Sequence, residues 1–223
     1  MTSSAPVTLL FDLDGTFLDT APDMISALNL LRLELHLPPL PNKTLRGVVS
    51  HGSIALIQAG FQRMPEDDGF EALQHRFLSI YQRSLAILTQ PFQGMEHVID
   101  KLDQQHIRWG IVTNKPAYLT EPLMDAMHLS RRAGCIISGD TLPQRKPDPE
   151  PLLHACRLLG GSPERSIYVG DAERDIEAGR RAGMTTLAAL YGYIGEQDDP
   201  EAWQADHLIK HPLEILTYLK TYL

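Results

Sequence analysis

Short apolar runs, each closed by a small or acidic residue, recur along the chain: VTLLF at 7–11 before Asp12, IV at 111–112 before Thr113, CII at 135–137 before Ser138, and IYV at 167–169 before Gly170 and Asp171. Runs of this kind predict buried parallel strands. Between them, residues 95–105, 120–127, 151–159 and 175–182 carry apolar positions at helical spacing. The alternation predicts an α/β fold, a parallel Rossmann-type sheet between two helical layers. Ligands of such sheets bind beyond the carboxyl ends of the strands, so Asp12, Thr113 and Asp171 are predicted to meet at one site.

Residues 20–89 break the pattern. Stretches 24–37 and 70–88 have the spacing of long amphipathic helices with no comparable strand between them. They predict an α-helical cap inserted into a core made of residues 1–19 and 90–223. Acids and bases balance within the insert, so the net charge of −8 lies in the core. The joints, 17–21 and 89–94, are the predicted hinges. A last strand-like run at 185–190 precedes a polar loop that ends near Trp203.

Composition narrows the function. With 43% hydrophobic and 22% charged residues the chain has globular usage. No apolar run nears the ~18 residues of a membrane span, and the first has no basic flank, which points to the cytoplasm. Two separated cysteines, Cys135 and Cys156, argue against a disulfide framework or a thiolate zinc site. His207 and His211, four apart but without a neighbouring acid, are expected to pack rather than bind zinc. Excess negative charge repels nucleic acid, so an anionic ligand must be held by local positive groups.

FDLDGT at 11–16 concentrates the chemistry. Two carboxylates two residues apart at the end of a buried strand repel each other and call for a cation or a proton. Mg²⁺, which prefers hard oxygen ligands, suits them. The hexapeptide resembles the first motif of the haloacid dehalogenase superfamily of phosphohydrolases. The superfamily's other motifs follow in order: Thr113 in IVTNKP, Lys146 in RKPDPEP, and GDAERD with Gly170, Asp171 and Asp175.

That resemblance implies a nucleophilic Asp12 that forms an aspartyl-phosphate, and an Asp14 that protonates the leaving oxygen and then activates water. It also implies phosphate binding by Thr113, the Asn114 backbone and Lys146. Mg²⁺ would be held by Asp12, the Asp14 carbonyl, Asp171 and Asp175, with Asp175 bound directly or through water. Lys115 suits a solvated surface charge as well as a site role. Asp14 argues against the metal-free dehalogenases and the phosphonatases, which lack it. Phosphosugar mutases, such as those acting on β-phosphoglucose, share all four motifs and stay open. A non-catalytic phosphate-accepting module would need neither Asp14 nor a cap.

Within the insert, LRGVVSHGS at 45–53 is the expected substrate-reading loop. Arg46 would clamp a substrate carboxylate, with Ser50, His51 and Gly52 offering polar contacts, unless Arg46 is only a surface cation. Cap and tail resemble the phosphoglycolate phosphatase subgroup, and most closely its members acting on N-acetylmuramic acid 6-phosphate in cell-wall recycling. Both esters are small phosphorylated metabolites carrying a carboxylate. A monomer or a homodimer suits the sequence equally.

Overall fold

The computed structural model describes residues 7–222, so the first six residues of the expected core segment lie outside it. Its strands are β1 (Thr8–Phe11), β2 (Leu18–Asp19), β3 (Gln90–Pro91), β4 (Arg108–Val112), β5 (Cys135–Ile137), β6 (Ser166–Gly170), β7 (Thr185–Ala189) and β8 (His207–Ile209). Its helices are α1 (Ala21–Glu34), α2 (Asn42–Arg46), α3 (Gly52–Phe61), α4 (Phe70–Arg83), α5 (Met95–Gln104), α6 (Ala117–Ala126), α7 (Glu150–Leu158), α8 (Glu173–Ala182) and α9 (Ile215–Leu219). Six strands form a parallel sheet in the order β5-β4-β1-β6-β7-β8.

Every residue of β1 is buried, as a central strand flanked on both sides requires. Alternate side chains leave the sheet on opposite faces. Leu9 and Phe11 join the apolar cluster under α5, α6 and α9, while Leu10 joins the one under α7 and α8. The expected three layers result. Phe11 pairs with both Ile111 and Val169, so the chain just beyond each strand emerges at the same edge.

Helices α1 to α4 share a separate apolar cluster that includes Leu28, Leu56 and Phe77, closed from the core side by Leu119 and Tyr193. Helix α4 stops at Arg83, short of the expected 88. Buried Asp23 of α1 explains this by accepting from the amides of Leu88 and Thr89 and from the Thr89 hydroxyl, at 2.7–3.0 Å. Those donors are thereby held outside a helix. Both expected hinges are tied into one antiparallel ribbon, in which Leu18 faces Pro91 and Asp19 faces Gln90. β8, a three-residue strand beside β7, was not expected. Among the described residues no helix is long and apolar enough to cross a membrane.

Candidate active site

Asp12 follows β1 and stays in register with it, its amide donating to Val169 O at 2.9 Å. Asp171 follows β6, and Asp175 sits in the first turn of α8, where one of its oxygens accepts from the Ala172 amide at 3.1 Å. All three are buried, and one oxygen from each lies within 4.8 Å of the others. Lys146 Nζ enters this cluster, 2.7 Å from Asp12 Oδ1 and 2.7 Å from Asp175 Oδ1, and donates to Tyr168 OH and Val112 O. Asp171 Oδ2 accepts from Ser50 Oγ at 2.7 Å and Tyr193 N at 2.9 Å, and Oδ1 accepts from Thr16 Oγ1 at 3.2 Å. Gly15 is required here: its φ is +84°, and a Cβ would fall 2.1 Å from Asp171 Oδ2.

Burial, opposed by Lys146, raises the pKa of Asp12. Burial, helped by the charges of Asp12 and Asp175, pushes Asp171 up to about 7. Three clustered, buried carboxylates, two of them paired with a single lysine, are short of positive charge, and their donors are all hard oxygens. That donor set fits a divalent cation such as Mg²⁺.

Asp14 points away from the cluster. Its carboxylate accepts from Thr20 Oγ1 at 2.6 Å and from Lys115 Nζ at 3.0 and 3.2 Å. Lys115, equally suited by sequence to the surface, is buried, and its Nζ also donates to Tyr81 OH on α4 at 2.8 Å. Burial works against its charge, but Asp14 and Tyr81 outweigh this and its pKa is raised. Thr113 is fixed at the end of β4, its amide donating to Ile137 O and its Oγ1 accepting from the Lys115 amide. The Asn114 side chain exchanges two hydrogen bonds with the Lys146 backbone and so holds the lysine loop in place.

A cavity of about 570 Å³ opens over these residues and reaches Asp12, Asp14, Thr113, Asn114 and Lys115 from the core. Ser50, His51 and Gly52 line its far wall, on the side of the insert. Arg46 does not. It makes a bidentate pair with Asp19 at 2.9 and 3.0 Å and lies over the Tyr193 ring, outside the cavity lining. The cations that line the cavity beside Lys115 are Arg145 and Arg174. Burial opposes the charge of Arg174, but Asp175, Asp12 and Asp171 together raise its pKa. Arg174 lies inside GDAERD but at one of its variable positions, and the α4 residues Gln74 and His75 carry no motif that would have singled them out.

The sequence model of the family described as haloacid dehalogenase-like hydrolases matches residues 9–189, which contain every catalytic-motif residue above. The chain belongs to the haloacid dehalogenase-like hydrolases. The hydrolase is 44% identical over 207 residues to an N-acetylmuramic acid 6-phosphate phosphatase of Pseudomonas putida, covering 93% of both chains. It is also 44% identical over 210 residues to a phosphoglycolate phosphatase of Xanthomonas campestris, covering 94% of this chain and 95% of the relative. A crystal structure from Haemophilus somnus, described as a predicted phosphoglycolate phosphatase, superposes with a TM-score of 0.83 at 23% identity. It covers 97% of this chain and 99% of that one, and shows the shared fold. With its family and these relatives, the hydrolase is a phosphatase.

Proposed function

We propose that the hydrolase is a Mg²⁺-dependent phosphomonoesterase, with the phosphate ester of N-acetylmuramic acid as its substrate and residues 20–89 as the cap that selects it. The observation that carries the reading is the pairing of a buried carboxylate, Asp12, held by Lys146 at 2.7 Å, with a second carboxylate, Asp14, on the same cavity. One Asp12 oxygen attacks phosphorus as the P–O bond to the sugar breaks. Asp14 delivers a proton to the departing oxygen. Asp14 then takes a proton from water as the water's oxygen attacks phosphorus, and the acyl-phosphate bond to Asp12 breaks, freeing phosphate and the Asp12 carboxylate. Lys146, the Thr113 hydroxyl and the Asn114 amide stabilise charge on the transferred group. Asp12, Asp171, Asp175 and the Asp14 carbonyl would hold Mg²⁺, which when bound offsets the repulsion between phosphate and carboxylates.

The muramate ester is favoured by the Pseudomonas putida relative and by a cavity whose far wall carries both apolar and polar groups, among them Val49, Leu78, Gln74 and His75. 2-Phosphoglycolate is the second reading, since the Xanthomonas campestris relative is equally identical. In both, Arg145 or Arg174 replaces Arg46 as the cation nearest a substrate carboxylate. The test is kcat/KM for the two esters in Mg²⁺, with Asp12→Asn as the control for contaminating phosphatase. A hundredfold preference for the muramate ester, about 2.7 kcal/mol, is expected. The reverse preference overturns the assignment, and an isomerised sugar phosphate without free phosphate would make the enzyme a mutase.

A further inference from the structure

Ser50 was expected to read substrate, yet its hydroxyl is spent on the carboxylate cluster. It lies on the turn Val49–His51 of the insert, is buried, and donates to Asp171 Oδ2 at 2.7 Å. Among the described residues it is the insert side chain that hydrogen-bonds Asp12, Asp171 or Asp175. The turn is fixed from the core on two sides. Arg174, the residue before Asp175, donates to the Ser50 carbonyl at 2.6 Å. Gly47 packs so closely on the loop after β7 that a Cβ there would fall 2.7 Å from Gly195 Cα. That same loop supplies Tyr193, whose amide donates to the oxygen that Ser50 contacts. Asp171 is therefore oriented by Thr16 from the core, Tyr193 from the β7 loop and Ser50 from the insert.

We propose that Ser50 is a positioning residue which the insert lends to the divalent-cation site, so that docking of the 49–51 turn and cation binding strengthen each other. A carboxylate ligand free to rotate loses affinity for its ion, and removing one orienting partner typically costs about 10- to 100-fold. Linkage makes the effect reciprocal: the factor that docked Ser50 adds to cation affinity is the factor that the cation adds to docking. A serine that only filled space would show no such reciprocity. The inference rests on the Mg²⁺ reading above.

The test uses the substrate-free full-length protein. Mg²⁺ binding is measured by titration calorimetry for wild type and Ser50→Ala, and amide exchange of the peptide spanning 47–53 is followed with and without Mg²⁺. Wild type is expected to bind Mg²⁺, Ser50→Ala to bind about 10- to 100-fold more weakly, and Mg²⁺ to slow exchange of that peptide in wild type but not in the variant. Equal affinities in the two proteins, or exchange in wild type that ignores bound Mg²⁺, overturn the proposal while the metal reading stands. Wild type that binds no Mg²⁺ overturns both. The wild-type exchange comparison decides the question even if the variant does not fold.

Discussion

Lys115→Met removes the ammonium that joins Asp14 to Tyr81 while leaving a side chain of similar length. The wild-type group is buried, contacts both Asp14 oxygens at 3.0 and 3.2 Å and Tyr81 OH at 2.8 Å, and stands 4.7 Å from the Tyr81 ring centre. Removing one partner of a buried ion pair costs about 3–5 kcal/mol because the other charge is left uncompensated. The Asp14 side chain keeps 17% of its exposure, so water from the cavity replaces part of the lost contact and the lower end applies, about 3 kcal/mol. For a chain of this length each kcal/mol moves the melting temperature by about 2–4 °C, giving a fall of about 6–12 °C. Calorimetric melting of wild type, Lys115→Met and the double variant with Asp14→Asn measures it. The double variant should regain much of the loss, because the stranded carboxylate is gone. A single variant melting with wild type, or a double variant no better than the single, would refute the reasoning and return Lys115 to the solvent.

Asp12→Asn should reduce phosphate release from an aryl phosphate to background with an unchanged circular dichroism spectrum; retained turnover would exclude the covalent step. Gly15→Ala places a Cβ against Asp171 at a positive φ, so it should cost about 1–3 kcal/mol in a urea titration and weaken Mg²⁺ binding. Burial pushes the Tyr81 hydroxyl from 10.0 and the Cys135 thiol from 9.0 up to about 12 in each case. The folded protein keeps these protons after the unfolded chain has released them, so the stability they contribute is complete below about pH 9 and is lost as pH rises to about 12. A urea midpoint that is no lower at pH 11 than at pH 8 would contradict that. Inorganic phosphate, titrated calorimetrically, should bind the Mg²⁺-loaded protein and fail to bind after chelation; equal binding in both states would show that Lys146 and Arg174 suffice to hold it.

Strand ends were legible because a buried strand and the small polar residue that closes it are both local features, and three such ends mark the site: Asp12, Thr113 and Asp171. The partners that cross between segments were not. Nothing beside Lys115 in the sequence announces that Tyr81, 34 residues earlier, will cover it. Arg46 looked free because its partner Asp19, 27 residues away, lay in the predicted 17–21 hinge. Ser50 belongs to a turn correctly placed at the cavity, but the direction of its hydroxyl is set by how the insert meets Asp171, 121 residues on. β8 escaped because three residues, HLI, carry too little periodicity to separate a strand from a loop.

The two sides of the site carry their charge differently, and this bears on how they act. Asp14 is matched one to one by Lys115, so the carboxylate proposed as acid and base is already compensated. Of Asp12, Asp171 and Asp175, the first and last share Lys146, and with Arg174 nearby the cluster still carries excess negative charge. It is this under-compensated side that must receive a phosphate dianion. Repulsion in a buried, weakly screened setting opposes that approach until positive charge is added. Ester binding is therefore linked to cation binding by electrostatics alone. Through Ser50 the insert touches Asp171 of that cluster, and through Tyr81 it touches the lysine paired with Asp14. In the proposed mechanism both sides of the chemistry thus contact one helical insert, whose residues also line the cavity.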